Sequence, residues 1–301
     1  MQIIRLIKRF ASILSFWFKF LAFYNFRNIE IGKAETELID IHCHILPAVD
    51  DGPVDTEESL AMAEKASADG IRIIVATPHT LNGRYLNPSE KIMTQVRDLQ
   101  SLLSEAQSEI HIVPGAEIHF CLNLKERILN RDALTINDTG KYLLVEFPFQ
   151  TLPTGYSEEL FRLKLEGITP IIAHPERNAV FQQYPEMLEE LVAAGCLMQV
   201  TAMSITGGFG EDVMECAAWM LKIRLAHVIA TDAHSAGNRS PILSSAVAVA
   251  ARIMGNRTDA ELMVTRIPEA ILAGKPVEIP EPPRAVRQKK SGFLKKIGWL
   301  T

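Results

Sequence analysis

No stretch of the 301-residue chain reaches the ~18–20 uninterrupted apolar residues of a membrane-spanning helix. The charge-free runs Phe10–Phe18 and Phe20–Phe26 are split by Lys19. Cysteine is scarce: Cys43, Cys121, Cys196 and Cys216 form no C-x-x-C pair and no small-domain framework. That excludes a disulfide scaffold and reads as reduced thiols of a cytoplasmic protein. Glycine-rich phosphate loops are missing too. Gly207-Gly208-Phe209-Gly210 fits neither G-x-G-x-x-G nor a P-loop and reads as a flexible rim loop. The 16 prolines and 17 glycines are scattered, so no long linker divides the chain. A 48% hydrophobic, 22% charged composition excludes a disordered or collagen-like protein.

Acids are absent from residues 1–28 and again from residues 284–301. Those ends hold Arg5, Lys8, Arg9, Lys19, Arg27, Arg284, Arg287, Lys289, Lys290, Lys295 and Lys296. An acidic body with two basic, apolar ends excludes a protein that binds nucleic acid over its whole surface. It points instead to an anionic membrane surface. On a helical projection the polar residues of 2–19 fall within an arc of roughly 140°, broken by Phe16, the pattern of a helix lying in the interface plane. A signal peptide and a helix packed on its own domain are the rival readings; no small-x-small cleavage site stands within Leu21–Asn28.

From Glu37 onward, short β-rich runs alternate with helical patterns, which predicts a parallel α/β fold. The expected strands are Leu38–Ile41, Ile71–Thr77, Ile110–Pro114, Tyr142–Phe147, Pro170–Ala173, Leu197–Thr201 and His227–Thr231. The expected helices are Thr56–Ala68, Ser89–Gln107, Leu122–Asn130, Ser157–Glu166, Pro185–Ala194, Glu211–Ile223, Ile242–Met254 and Asp259–Leu272.

The strand ends carry the chemistry. His42 and His44, His79, Glu117, His174, and Asp232 with His234 all stand at or just after strand ends, where parallel α/β enzymes assemble their sites. Five of the eight histidines are among them. Imidazole and carboxylate ligands suit Zn²⁺, Mn²⁺ or iron. His42 and His44 alternate along extended chain and share a face, as do Asp232 and His234. With an aspartate of Asp50-Asp51-Gly52 the ligands are too many for one ion and suit a two- or three-metal cluster. Such clusters polarise phosphoryl oxygens and generate hydroxide near neutral pH. His111, His119 and His227 have no such placement, and His111 and His227 read as structural.

These residues resemble the polymerase and histidinol phosphatase (PHP) superfamily, metal-dependent phosphoesterases on a distorted (β/α)7 barrel of parallel strands. Asp40-Ile41-His42-Cys43-His44-Ile45-Leu46-Pro47, Asp50-Asp51-Gly52-Pro53, Thr77-Pro78-His79, His174-Pro175-Glu176-Arg177-Asn178 and Thr231-Asp232-Ala233-His234 with Arg239 are similar to one branch of it: the bacterial capsular and exopolysaccharide protein-tyrosine phosphatases. The resemblance spans about Glu37 to Lys275. It implies three ions, manganese with iron or zinc as alternatives, held by His42, His44, Asp51, His79, Glu117, His174, Asp232 and His234, with Glu117 bridging. The choice of Asp51 over Asp50 rests on the resemblance alone. It also implies phosphotyrosine hydrolysis on a tyrosine kinase of polysaccharide export, with a small ester such as histidinol phosphate as the alternative substrate. The implied location is cytoplasmic, peripheral on the inner face of the plasma membrane. The domains expected are a basic amphipathic extension (1–36), the phosphatase barrel (37–283) and a basic tail (284–301).

Arg177 and Arg239 lie just past His174 and His234, and guanidinium forks suit a phosphate dianion, so both are assigned to phosphate binding and catalysis. His234 is assigned a catalytic part as well, protonating the leaving phenolate. Arg84 is either a substrate contact or a solvated loop charge. Cys121 to Arg127 satisfies C-x5-R, but the intervening residues lack glycine and read as helix, which argues against a thiol phosphatase.

Overall fold

The computed structural model describes residues 37–278. The expected N-terminal amphipathic helix and the basic tail from 284 lie outside them. Among the described residues no helix is long and apolar enough to cross a membrane.

The strands are β1 (Leu38–Cys43), β2 (Ile71–Ala76), β3 (His79–Thr80), β4 (His111–Pro114), β5 (Glu117–His119), β6 (Tyr142–Glu146), β7 (Thr169–Ala173), β8 (Leu197–Thr201) and β9 (Val228–Ala230). The helices are α1 (Thr56–Ala68), α2 (Ser89–Glu105), α3 (Leu124–Leu129), α4 (Tyr156–Leu165), α5 (Ala179–Gln183), α6 (Glu186–Ala193), α7 (Ala202–Ile205), α8 (Glu211–Lys222), α9 (Ser244–Met254), α10 (Arg257–Leu262) and α11 (Arg266–Leu272).

Among the described residues all strand pairing is parallel, in a sheet ordered β1-β2-β4 and a sheet ordered β3-β5-β6-β7-β8-β9. The two short strands β3 and β5 were not expected. Each continues a longer one after a two-residue interruption, Thr77-Pro78 and Gly115-Ala116. Pro78 has no N–H to give a ladder. At Gly115 an added Cβ would stand 2.6 Å from Val75 Cγ1, so glycine permits the close approach of the strands.

The sheets meet along β1. His42 O accepts from Asp232 N at 2.8 Å, and Ala233 O accepts from His44 N at 2.9 Å. Fully buried Asp40 reinforces this seam: Oδ1 accepts from Thr231 N at 3.0 Å and Oδ2 from Thr231 Oγ1 at 2.5 Å. Burial pushes its carboxyl up to about 6 against those hydrogen bonds.

Strands covered on both faces explain the continuous apolar runs in the sequence. One face of the strands packs under the helices. The other gives an inner cluster of Ile41, Val75, Val113, Leu144, Ile171 and Val228, joined by Ile267 and Ile271 of α11.

The single helix expected over Asp259–Leu272 is two, α10 and α11. Between them, Met263 O accepts from Ile229 N of β9 and Val264 O from Ile39 N of β1. Carbonyls that serve two strands cannot continue a helical ladder. The expected rim loop after β8 begins as the short helix α7, and only Gly207–Gly210 is loop.

Candidate metal centre

The strands deliver the site residues through local irregularities. Strict alternation would send His42 to the face opposite Ile41. A register shift between Asp40 and Cys43 breaks the alternation. Ile39 and Ile41 pack in the inner cluster, Cys43 and Ile45 in the outer one. His42 therefore faces inward, its Nδ1 2.8 Å from Gln199 Oε1 on β8. His174 and Asp232 follow β7 and β9 with left-handed backbones, φ 32° and 51°, a cost tolerated where a side chain must be aimed. At Gly52 a Cβ would collide with the His44 carbonyl oxygen, so the Asp50-Asp51 turn can close over β1 only with glycine there.

Glu117, fully buried at the start of β5, is the hub. Its Oε1 lies 2.8 Å from His174 Nε2 and 3.3 Å from His42 Nε2. Its Oε2 lies 2.8 Å from His79 Nδ1 and 3.3 Å from His44 Nε2. Asp232 Oδ1 is 3.5 Å from both His42 Nε2 and His44 Nε2. Asp51 Oδ1 is 3.4 Å from His79 Nε2 and from His234 Nε2. All eight expected ligands thus converge. Among the described residues, three groups have ligand atoms close enough to share an ion: His44, Asp51, His79 and His234; His42, His44 and Glu117; His79, Glu117 and Glu146.

The donor set fits a divalent cation. Glu117 Oε2, His79 Nδ1 and His234 Nε2 are buried without a hydrogen-bond partner, although Glu117 Oε2 and His79 Nδ1 lie 2.8 Å apart. Buried polar atoms are rarely left so unless something else binds them. Neighbouring groups fix the ring tautomers. Asp50 Oδ2 accepts from His44 Nδ1 at 2.7 Å and from His79 N at 2.8 Å, which leaves His44 Nε2 facing the centre. The Asp232 carbonyl accepts from His234 Nδ1 at 3.0 Å, leaving His234 Nε2 a bare lone pair. That tautomer suits a ligand better than a proton donor.

The electrostatics agree. Burial pushes against ionisation of Glu117 and Asp232, yet the surrounding imidazoles, with Arg239 at Asp232, hold both well below the usual carboxylate range. Burial alone would depress His42, His44 and His79, yet the facing carboxylates raise all three. His234 is depressed by burial and by His44. Buried carboxylates and imidazoles thus share one small volume, the donor mix that suits divalent transition-metal ions.

Arg177 and Arg239 flank it. Arg177 Nη1 and Arg239 Nη2 each donate to Asp232 Oδ2 at 2.7 Å. Arg84 is exposed, its guanidinium 4.9 Å from the centroid of Tyr85, whose ring stacks on His79. The cysteines are unsuited to nucleophilic work. Burial raises the Cys43 and Cys121 thiols, and pushes those of Cys196 and Cys216 up to about 12.

Sequence reasoning missed four groups. Glu146 ends β6, the same kind of position that marked the other ligands, so the signal was present. His119 was set apart from the site, but its Nδ1 stands 3.3 Å from Glu146 Oε2. Asp50 was the rejected half of a pair and orients His44. Gln199 was one polar residue within an apolar strand. His227 is structural, as expected: it is buried, and its Nδ1 accepts from Met198 N at 2.9 Å.

Comparison with known proteins identifies the family. Residues 38–273 match the family model described as capsular polysaccharide synthesis, CpsB/CapC. The tyrosine-protein phosphatase YwqE of Bacillus subtilis is 37% identical over 254 residues, 84% of this chain and 98% of that protein. The tyrosine-protein phosphatase CpsB of Streptococcus pneumoniae is 33% identical over 232 residues, 75% of this chain and 95% of that protein. A solved structure from work on those two proteins, described as unique metal-dependent tyrosine phosphatases, superposes with a TM-score of 0.77 at 35% identity. The match covers 82% of this chain and 100% of that one. On its motifs, its fold and this similarity, the chain belongs to the CpsB/CapC family of capsular polysaccharide synthesis, within the PHP-type phosphoesterases.

Proposed function

We propose that the chain is a metal-dependent protein-tyrosine phosphatase of capsule or exopolysaccharide synthesis. The observation that carries the proposal is the convergence of five imidazoles with Asp51 and Asp232 on the centre built around Glu117, flanked by two arginines on Asp232. The sheets joined along β1 are taken as one distorted seven-stranded barrel, with the centre at the carboxyl ends of its strands. His42, His44, Asp51, His79, Glu117, His174, Asp232 and His234, with Glu146 added, would hold up to three ions, manganese first among the candidates. Bound there, divalent ions supply Lewis-acid polarisation of a phosphoryl group and lower the pKa of water.

The chain's own residues do the rest. Glu117 presents Oε1 to His42 and His174 and Oε2 to His44 and His79, an arrangement that would let it help hold more than one ion. Asp50 and Gln199 keep His44 and His42 in the tautomers that face inward. Arg177 and Arg239 supply fixed N–H donors to the phosphate and to the charge that builds during transfer. Ionised, they cannot serve as proton donors to the phenolate.

The substrate inferred is the phosphotyrosine tail of a tyrosine kinase of polysaccharide export. The catalytic unit is assigned to residues 37–283. The basic segments 1–36 and 284–301 are assigned to an anionic membrane surface, on the charge pattern of the sequence.

The test is turnover of a phosphotyrosine peptide by protein purified without chelator. Chelation should abolish activity, Mn²⁺ should restore it, and Cys121→Ser should leave kcat within about a few-fold, since its thiol plays no part. Histidinol phosphate turned over far better than the peptide would make the small ester the substrate. Activity that survives metal removal, or that vanishes in Cys121→Ser at normal metal content, refutes the mechanism.

A further inference from the structure

Two aromatic side chains at the centre have no part in metal or phosphate binding. The Arg177 guanidinium lies 4.7 Å from the centroid of Phe149 and 4.3 Å from that of Phe209; Arg239 lies 5.8 Å from Phe209. Phe149 also stands 5.6 Å from the His174 ring. Neither phenylalanine is used up as core: Phe149 is 40% exposed and Phe209 is half-buried.

Their loops are held in place. Phe149 O accepts from Ala179 N at 2.8 Å, and Asn178 Nδ2 donates to the neighbouring Pro148 O at 2.7 Å. The loop after β6 is therefore fastened to the segment that carries His174 and Arg177. Phe209 is presented by the glycine turn between α7 and α8, where Gly207 and Gly210 take φ of 87° and 96°. The two rings come from sequence positions sixty residues apart and meet on one guanidinium.

We propose that Phe149 and Phe209 form an aromatic subsite that selects aryl over alkyl phosphate esters. The proposal rests on the phosphatase reading above. An ester whose phosphate is held by Arg177 and Arg239 carries its organic group one oxygen away, beside the two rings. A phenol ring there stacks offset or edge-on against them, whereas an alkyl group has no ring to stack. The same rings flank Arg177, so a purely supporting role must be separated from selection.

Direct binding separates them without turnover. The metal-loaded full chain is titrated calorimetrically with phenylphosphonate and with methylphosphonate, which share the acidic head and differ in the ring. The wild-type protein should prefer phenylphosphonate. Phe149→Ala and Phe209→Ala should each cut that preference about three- to tenfold, the range for one aromatic pair. Methylphosphonate affinity should stay within about twofold, because the arginines remain. Phe149→Leu and Phe209→Leu keep apolar bulk and guard against misfolding; each should lose part of the preference. Parallel weakening of both ligands would mean that the rings act only through Arg177, and overturns selection. Equal binding of both ligands by wild type, or no binding of either, overturns it as well. Phosphotyrosine-peptide turnover by wild type is a separate arm. Its absence refutes the phosphatase reading, whereas normal turnover with an unchanged ring preference refutes the subsite alone.

Discussion

Replacing Gln199 should loosen the metal centre without touching a ligand. Gln199 is fully buried on β8. Its Oε1 accepts from the backbone N–H of His174 at 3.3 Å, which fixes the orientation of the amide. The same oxygen lies 2.8 Å from His42 Nδ1, so that nitrogen must be the protonated one and Nε2 the ligand atom. Gln199→Met keeps the volume and removes the acceptor. Two buried donors are then orphaned, at about 1–3 kcal/mol each in stability. Losing the partner that orients a ligating imidazole typically weakens metal binding 10–100-fold. The assay is competition for Mn²⁺ against a chelating dye, with thermal unfolding to confirm the fold. Gln199→Glu, which keeps the oxygen, should hold the affinity that Gln199→Met loses. Unchanged affinity in a folded Gln199→Met protein would refute the assignment of His42 Nε2 as a ligand atom.

His227 makes a pH prediction remote from the centre. Burial lowers its pKa to about 4, and its Nδ1 is occupied in accepting from Met198. Above the unfolded value near 6.5 neither state binds the proton, and stability is intact. As pH falls towards 4 only the unfolded state binds it, so stability drops, by about 2.5 kcal/mol at pH 4.5. Urea unfolding of wild type and His227→Asn should therefore converge or cross between pH 7.5 and 4.5; parallel profiles would refute this. For the arginines, Arg177→Ala and Arg239→Ala should retain metal and lose roughly 2–4 kcal/mol of transition-state stabilisation, read as kcat/KM on phosphotyrosine peptide. Loss of metal in either variant would make it a structural support of Asp232 instead.

Much of the candidate centre was legible because most of its expected ligands stand where an apolar run stops, whereas Asp51 was chosen on the family resemblance alone. His42, His79, Glu117, His174 and Asp232 needed only the strand period to be found. What stayed hidden depended on pairing between distant strands. Glu146 joins because β5 and β6 pair His119 opposite it, a register that a single sequence does not display. Gln199 looked like a stray polar residue until β8 stood across from His42. The turn of β1 that brings His42 inward is a register shift, which alternation cannot foresee. The break between α10 and α11 exists because strand N–H groups claim two carbonyls, and helix periodicity runs straight through it. The alternation of strands and helices came from local pattern, which is why it was read correctly.

The seam along β1 has a consequence for how the chain comes into being. Asp40 and Thr231, which tie it, are 191 residues apart, and Val264 clasps Ile39 from further still. On a ribosome the first strand is made early and must wait for almost the whole catalytic span before its partner emerges. Until then its edge is open and His42 and His44 have no Asp232 beside them. Closure across so long a loop is slow, and the unpaired edge is exposed to other chains meanwhile. A complete metal centre can therefore form only once the two ends of the fold have met. Metal captured during synthesis would act as a late rivet, with binding free energy entering folding at its last step.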